Sequence, residues 1–122
     1  ADVLIAFERL EALRYAHFLK KDGVLIVNDI RMDPMTVSAG LAQYPEGIIE
    51  TLKEKHNVIS LDAQKLAKEI GNARVFNTII VGVAAKQMDF AKEEWIKVIE
   101  ATVPPKTIEI NTKAFEAGWN LQ

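Results

Sequence analysis

Residues 3–27, VLIAFERLEALRYAHFLKKDGVLIV, decide the fold. Residues 3–7 form an apolar run with strand character. From residue 8 to 21 the pattern changes to helical spacing, with Leu10, Leu13 and His17 on one stripe and Ala16 and Phe18 beside it. Glu8 and Glu11 stand near the positive end of that helix and Lys20 and Lys21 near its negative end, while Gly23 can supply a left-handed cap. Residues 24–27 are again continuously apolar, which suits a strand covered on both faces, as in a parallel sheet. The stretch therefore predicts a strand–helix–strand unit.

The rest of the chain repeats the alternation. Residues 28–40 contain Pro34 and no periodicity, so they predict a long loop leaving the carboxyl end of a strand, the edge where α/β proteins hold ligands. Pro45, Glu46 and Gly47 open a helix to about residue 55, with Ile48, Ile49 and Leu52 inward. Residues 58–61 form a third strand. Asp62 is placed to cap the next helix, whose Ala63, Leu66, Ala67 and Ile70 make a buried stripe before Gly71 and Asn72 stop it. Residues 75–87 carry both strand propensity and helical spacing; about thirteen residues of the latter favour a buried helix, with Gly82 permitting close packing against a neighbour. Two more helices are expected over 92–101, with Trp95, Val98 and Ile99 inward, and over 105–117, with Ile108, Thr112 and Phe115 inward. Pro104 and Pro105 separate them. The expectation is a single α/β domain over residues 1–122 with a mostly parallel sheet.

Composition narrows the function. With 49% apolar and 26% charged residues among 122, the chain can build a core and is not intrinsically disordered. Its 15 basic and 17 acidic residues are scattered, which argues against a nucleic-acid partner. The absence of cysteine removes disulfides, thiolate nucleophiles and Cys-ligated zinc or iron–sulfur centres. No apolar run has the length of a membrane span and the start lacks a basic signal region, so no membrane contact and a cytoplasmic location are expected.

Tests for chemistry are mostly negative. Neither a dinucleotide nor a phosphate-loop glycine pattern occurs. His17 and His56 have no second ligand at metal-binding spacing, and Ser38 and Ser60 lie in no nucleophile elbow. No catalytic residue and no metal are assigned. Glu11 fits a solvated, dipole-favoured helix start, whereas Glu8 stands where α/β folds meet ligands and partners. Asn28, Asp29 and Arg31 end the second strand in the same layer; they either bond a ligand or a facing subunit, or, for Asn28 and Asp29, simply terminate the strand. Asn77 either caps a backbone group or reaches out of the domain. Phe115 and Trp119 pack into the core or anchor another chain.

Three separated stretches, ADVLIAFERLEALRYAHFLKKDGVLIVND, GNARVFNTIIVGVAA and VPPKTIEINTKAFEAGW, together resemble the gamma-type domain of the 2-oxoacid:ferredoxin oxidoreductases. The resemblance is greatest to the branch formed by beta subunits of indolepyruvate:ferredoxin oxidoreductases. It implies a three-layer α/β/α sandwich of Rossmann-like type. The family domain begins with a glycine-rich strand–turn–helix and a Ser-Glu-containing segment, neither of which occurs here. The sequence is thus similar to the C-terminal two-thirds of that domain, lacking the N-terminal βα part, and the expectation is either self-association across the uncovered edge or core face, or the missing part carried as a separate cleaved piece.

The resemblance further implies a noncatalytic subunit in an assembly that oxidatively decarboxylates indolepyruvate or other aryl-pyruvates to acyl-CoA and reduces ferredoxin. Thiamine diphosphate and iron–sulfur clusters would sit on the partner alpha subunit, with CoA as cosubstrate, none of them bound by this chain, and the isolated chain would be inactive. By position in these motifs, Glu8, Asn28, Arg31 and Asn77 are the candidate contacts to substrate, CoA or the partner subunit. The alternative from residue patterns alone is a stand-alone Rossmann-like ligand-binding or scaffold module.

Overall fold

A computed structural model describes residues 2–31, 34–88 and 91–121. The chain divides into two compact units, residues 1–61 and 62–122.

The first unit is built on three parallel strands in the order β1-β2-β3. They are β1 (Val3–Ala6), β2 (Val24–Asn28) and β3 (Asn57–Leu61). Val3 pairs with Val24 and Val24 with Asn57, so the strands start level; β1 ends with Ala6 opposite Val27, one residue before the Asn28–Leu61 pair that ends β2 and β3. Leu25, Ile26 and Val27 are fully buried, which explains the unbroken apolar run: a parallel strand covered on both faces has no polar side to show. On one face Ala6, Leu25 and Val27 pack with Ala12 and Ala16 and with Ile48, Ile49 and Leu52. The helices that carry these residues are α1 (Arg9–Tyr15) and, after a short helical segment α2 (Met35–Ser38), α3 (Ile48–Lys55).

Several expectations need correction here. The first strand ends at Ala6, not at residue 7. The helix expected over 8–21 is α1 followed by one tight turn, Ala16–Phe18. Its buried face is Ala12 and Ala16, whereas Leu13 is 39% exposed and His17 lies on the surface, because small side chains let the helix lie close against the sheet. Gly23 has no left-handed conformation; Gly47 (φ 66°), which precedes α3, and Gly71 (φ 118°) do. The loop predicted over 28–40 contains α2, and its residues 32–33 lie outside the described residues.

The second unit is helical: α4 (Ala63–Ile70), α5 (Phe76–Lys86), α6 (Lys92–Thr102) and α7 (Ile108–Trp119). Asp62 caps α4 by accepting a hydrogen bond from the Lys65 amide at 3.0 Å. At the other end the left-handed Gly71 lets the Asn72 amide return to the Ala67 carbonyl at 3.0 Å, and Asn72 in turn accepts from the Arg74 amide. The ambiguous stretch after it is a helix, with Ile79, Ile80, Val83, Ala84 and Ala85 buried.

Helices α5 and α7 meet backbone to backbone. A Cβ added at Gly82 would lie 2.2 Å from the Phe115 carbonyl oxygen, and one at Gly118 would lie 1.9 Å from that of Ile79. The close approach predicted for Gly82 is therefore met by a reciprocal glycine. Beside it Thr78 donates to Asn111 Oδ1 at 2.8 Å, and Asn111 donates to the Thr107 carbonyl. Phe115, fully buried, stacks on Trp95 and lies tilted against Trp119, so Phe115 is a core residue of this unit. Val98, expected inward, is 57% exposed, and Ile96 packs in its place beside Ile99.

Candidate ligand cleft

The carboxyl ends of the three strands bring the polar residues of the first unit together. Beyond Ala6 the chain turns into α1, whose first turn has unsatisfied backbone amides. Glu8 meets this need: its Oε1 accepts from the Glu11 amide at 2.6 Å, while Glu11 reaches back to accept from the Phe7 amide at 3.0 Å. The two carboxylates thus form a reciprocal cap. Glu11, expected to be merely solvated, fixes the entry to the helix.

Glu8 is nevertheless buried, at 9% exposure, and a buried carboxylate requires a donor. Tyr44, itself buried and carried in on the loop before α3, supplies one: its hydroxyl donates to Glu8 Oε2 at 2.7 Å and accepts from the Leu10 amide at 3.1 Å. Burial, and then the hydrogen bond and negative charge of Glu8, push the Tyr44 phenol up to about 12. It stays a proton donor throughout the neutral range.

Two further connections close this end of the sheet. The Asp29 amide donates to the Leu61 carbonyl at 2.6 Å, extending the β2–β3 pairing by one residue. Arg9 Nε donates to Asp29 Oδ1 at 2.5 Å, and the Arg9 amide donates to the Ile30 carbonyl at 3.1 Å. Arg31, just beyond, lays its guanidinium over the Tyr44 ring with the central carbon 4.5 Å from the ring centroid. A cleft of about 470 Å³ opens here, lined by Arg9, Asp29, Arg31, Tyr44, Lys53 and Ser60 among others. That volume falls in the range of small-molecule sites.

Of the candidate residues, Glu8 and Arg31 meet on opposite parts of Tyr44, the first at its hydroxyl and the second on its ring. Arg31 lines the cleft, while Glu8 is bonded to the lining residue Tyr44. Asn28 ends β2 at 1% exposure, paired with Leu61 in the sheet register. Asn77 is exposed on α5 of the second unit. Tyr44, Arg9 and Lys53 were not singled out by sequence reasoning. Arg9 and Asp29 had a usable signal, opposite charges just past the ends of adjacent strands. Tyr44 had none, since its partner Glu8 lies 36 residues away.

The cleft lining offers charged and hydroxyl groups from Arg9, Arg31, Lys53, Glu46, Glu50 and Ser60. The Tyr44 phenol, pushed up to about 12, stays protonated and donates instead of acting as a base, and the Arg31 guanidinium lies against its ring. Among the described residues no group of three His, Cys, Asp or Glu is placed to hold a metal ion. With no cysteine in 122 residues, the chain supplies no thiolate for an iron–sulfur cluster. No helix among the described residues is long and apolar enough to cross a membrane.

Residues 1–121 match the family model of pyruvate ferredoxin/flavodoxin oxidoreductases. Indolepyruvate oxidoreductase subunit IorB of Thermococcus kodakarensis is 42% identical over 129 residues, which cover 97% of this chain and 61% of the relative. The subunit of the same name from Pyrococcus horikoshii is 40% identical over 124 residues, again covering 97% and 61%. In structure, the gamma subunit of a keto/oxoacid ferredoxin oxidoreductase from Geobacter sulfurreducens superposes with a TM-score of 0.73 at 24% identity, covering 99% of this chain and 63% of that one. The superposition supports the α/β fold with its parallel sheet. The chain spans about three-fifths of the length of the relatives it matches. From the family match along nearly its whole length, this chain belongs to the pyruvate ferredoxin/flavodoxin oxidoreductase family.

Proposed function

We propose that this chain is part of the noncatalytic subunit of an indolepyruvate, or more broadly aryl-pyruvate, ferredoxin oxidoreductase. The overall reaction joins a 2-oxoacid and CoA, releases carbon dioxide, and passes two electrons to ferredoxin, leaving an acyl-CoA. The observation that carries this reading is the 42% and 40% identity to indolepyruvate oxidoreductase subunits over 97% of the chain. These 122 residues hold no cysteine that could ligate an iron–sulfur cluster, and the cleft lining carries charged and hydroxyl groups suited to recognition.

In this reading thiamine diphosphate, bound on the partner alpha subunit, supplies the carbanion chemistry. The present chain contributes shape and contact surface. Arg31 and Tyr44 line the cleft that meets the cosubstrate, with Glu8 bonded to Tyr44; Asn77, exposed on α5, is a further contact to CoA or to the partner subunit, whereas Asn28, at 1% exposure, shapes the strand end from within. The assembly works in the cytoplasm, where ferredoxin collects the electrons.

Co-expression of the full-length subunit with its large thiamine-dependent partner tests the proposal. The expected result is a complex that stays together on size exclusion, with iron and thiamine diphosphate remaining on the partner when the subunits are separated. Failure to form a complex, or stoichiometric iron or thiamine diphosphate on this subunit, would overturn it.

A further inference from the structure

We propose that α2 and the turn after it form an apolar knob whose Met35 and Leu41 side chains seat in an uncharged, apolar pocket on the large partner subunit. The inference rests on the functional reading above for the existence of that partner.

Met35 and Leu41 are 86% and 80% exposed, more than any other large apolar side chain among the described residues. A loosely held loop does not account for them, because the backbone here is closed on itself. The Val37 and Ser38 amides both return to the Pro34 carbonyl at 3.0 Å, and the Ala39 amide to that of Met35 at 2.9 Å. Gly40, at φ 77°, then lets the Leu41 amide reach the Thr36 carbonyl at 2.8 Å while its own amide donates to the Val37 carbonyl at 3.0 Å, the paired closure that ends a helix on a left-handed residue. That closure commonly folds the residue after the glycine back onto the helix; here Leu41 stays in solvent. Val37 packs inward onto the core of the first unit, and Tyr44 fixes the outgoing chain through its bonds to Glu8 and the Leu10 amide. Two apolar side chains are thus presented on a backbone already ordered, which lowers the entropic cost of binding.

Charge and area decide what covers the knob. Residues 34–45, PMTVSAGLAQYP, carry no charge, in a chain of which 26% is charged. A neutral stretch offers nothing to a phosphate backbone or to anionic lipid heads, whereas subunit interfaces are depleted of charge at their centre and enriched in Met. The two side chains expose roughly 300 Å² between them, against about 800 Å² per partner in a standard interface. Two copies meeting knob to knob would fall well short of a stable dimer. The knob suits a pocket on a chain that other contacts already hold, and a few side chains filling such a pocket carry much of an interface's binding. None of residues 34–43 lines the cleft, so the knob and the ligand cleft are separate features of one sheet edge.

Affinity between the full-length subunit and its large partner, measured by biolayer interferometry, is the test. Met35→Ser and Leu41→Ser should each weaken binding about tenfold, and the double variant at least about thirtyfold. Met35→Leu, which keeps an apolar group of similar size, should bind within about twofold of the parent. Because both side chains stand in solvent in the free subunit, its melting temperature should move by no more than about 2 °C in every variant. Unchanged affinity in the double variant, with the parent binding normally, overturns this proposal and leaves the functional reading standing; a parent subunit that does not bind the large partner at all overturns both. Two other occupants are read in parallel. Self-association of the subunit in sedimentation velocity that the double variant abolishes assigns the knob to a second copy, and pelleting with phosphatidylcholine vesicles that the double variant abolishes assigns it to a lipid surface. Either result also overturns the proposal.

Discussion

Replacing Gly82 by alanine probes the contact on which the helical unit depends. The new Cβ would start 2.2 Å from the Phe115 carbonyl oxygen and 3.0 Å from the Trp119 amide nitrogen, both backbone atoms that cannot rotate aside. An ordinary carbon–oxygen contact is about 3.3 Å, so α5 and α7 must separate by roughly 1 Å. Overpacking of this kind costs about 3 kcal/mol at the upper end of its usual range. Alanine returns up to about 1 kcal/mol through its better helix propensity. The net expectation is a loss of about 2 kcal/mol, a large share of the stability of a small protein. Urea unfolding followed by circular dichroism should show a lower midpoint with little change in slope. Gly118→Ala, which brings a Cβ to 1.9 Å from the Ile79 carbonyl oxygen, should cost at least as much. Both variants open the same crossing, so the double variant should cost less than the sum. A Gly82→Ala protein as stable as the parent, or more stable, would refute the close backbone contact.

Three other outcomes follow from local geometry. Tyr44 should ionise near pH 12 in a spectrophotometric titration; because its folded value is raised above the usual 10, its contribution to stability is intact below about pH 10 and is lost as pH rises towards 12, so denaturant midpoints should fall across that window. Asp62→Ala removes the acceptor for the Lys65 amide and should lower stability by about 1 kcal/mol, read by the same unfolding assay. Gly71→Ala forces a side chain onto a residue at φ 118° and should cost about 1–2 kcal/mol, although no neighbour lies within 4 Å of the new Cβ, so the loss reports backbone strain alone.

The parts of the fold legible in the sequence are those set by local pattern. Strands β2 and β3 announced themselves as short apolar runs, Asp62 and Gly71 as the ends of a helix, and α5 as a helix by the length of its spacing despite its β-branched residues. The face of α1 was misread because hydrophobicity points to Leu13 and His17, whereas the helix is drawn against the sheet by the small Ala12 and Ala16, one residue round the turn from each. Gly23 was read from its place after a lysine pair, yet the chain there turns without a positive φ. For the cleft, Glu8 and Arg31 were visible because strand ends are marked by sequence. What joins them was not: Tyr44 arrives from a loop, and only the folded chain brings its hydroxyl to Glu8 and its ring under Arg31. Long-range polar contacts of this sort leave no periodic trace.

Indolepyruvate-dependent reduction of methyl viologen in the presence of CoA, measured for the full-length subunit alone, for its large partner alone and for the two mixed, tests the central claim most directly. Turnover is predicted only in the mixture. Turnover by this subunit alone, or a partner whose rate is unchanged when this subunit is left out, would contradict it.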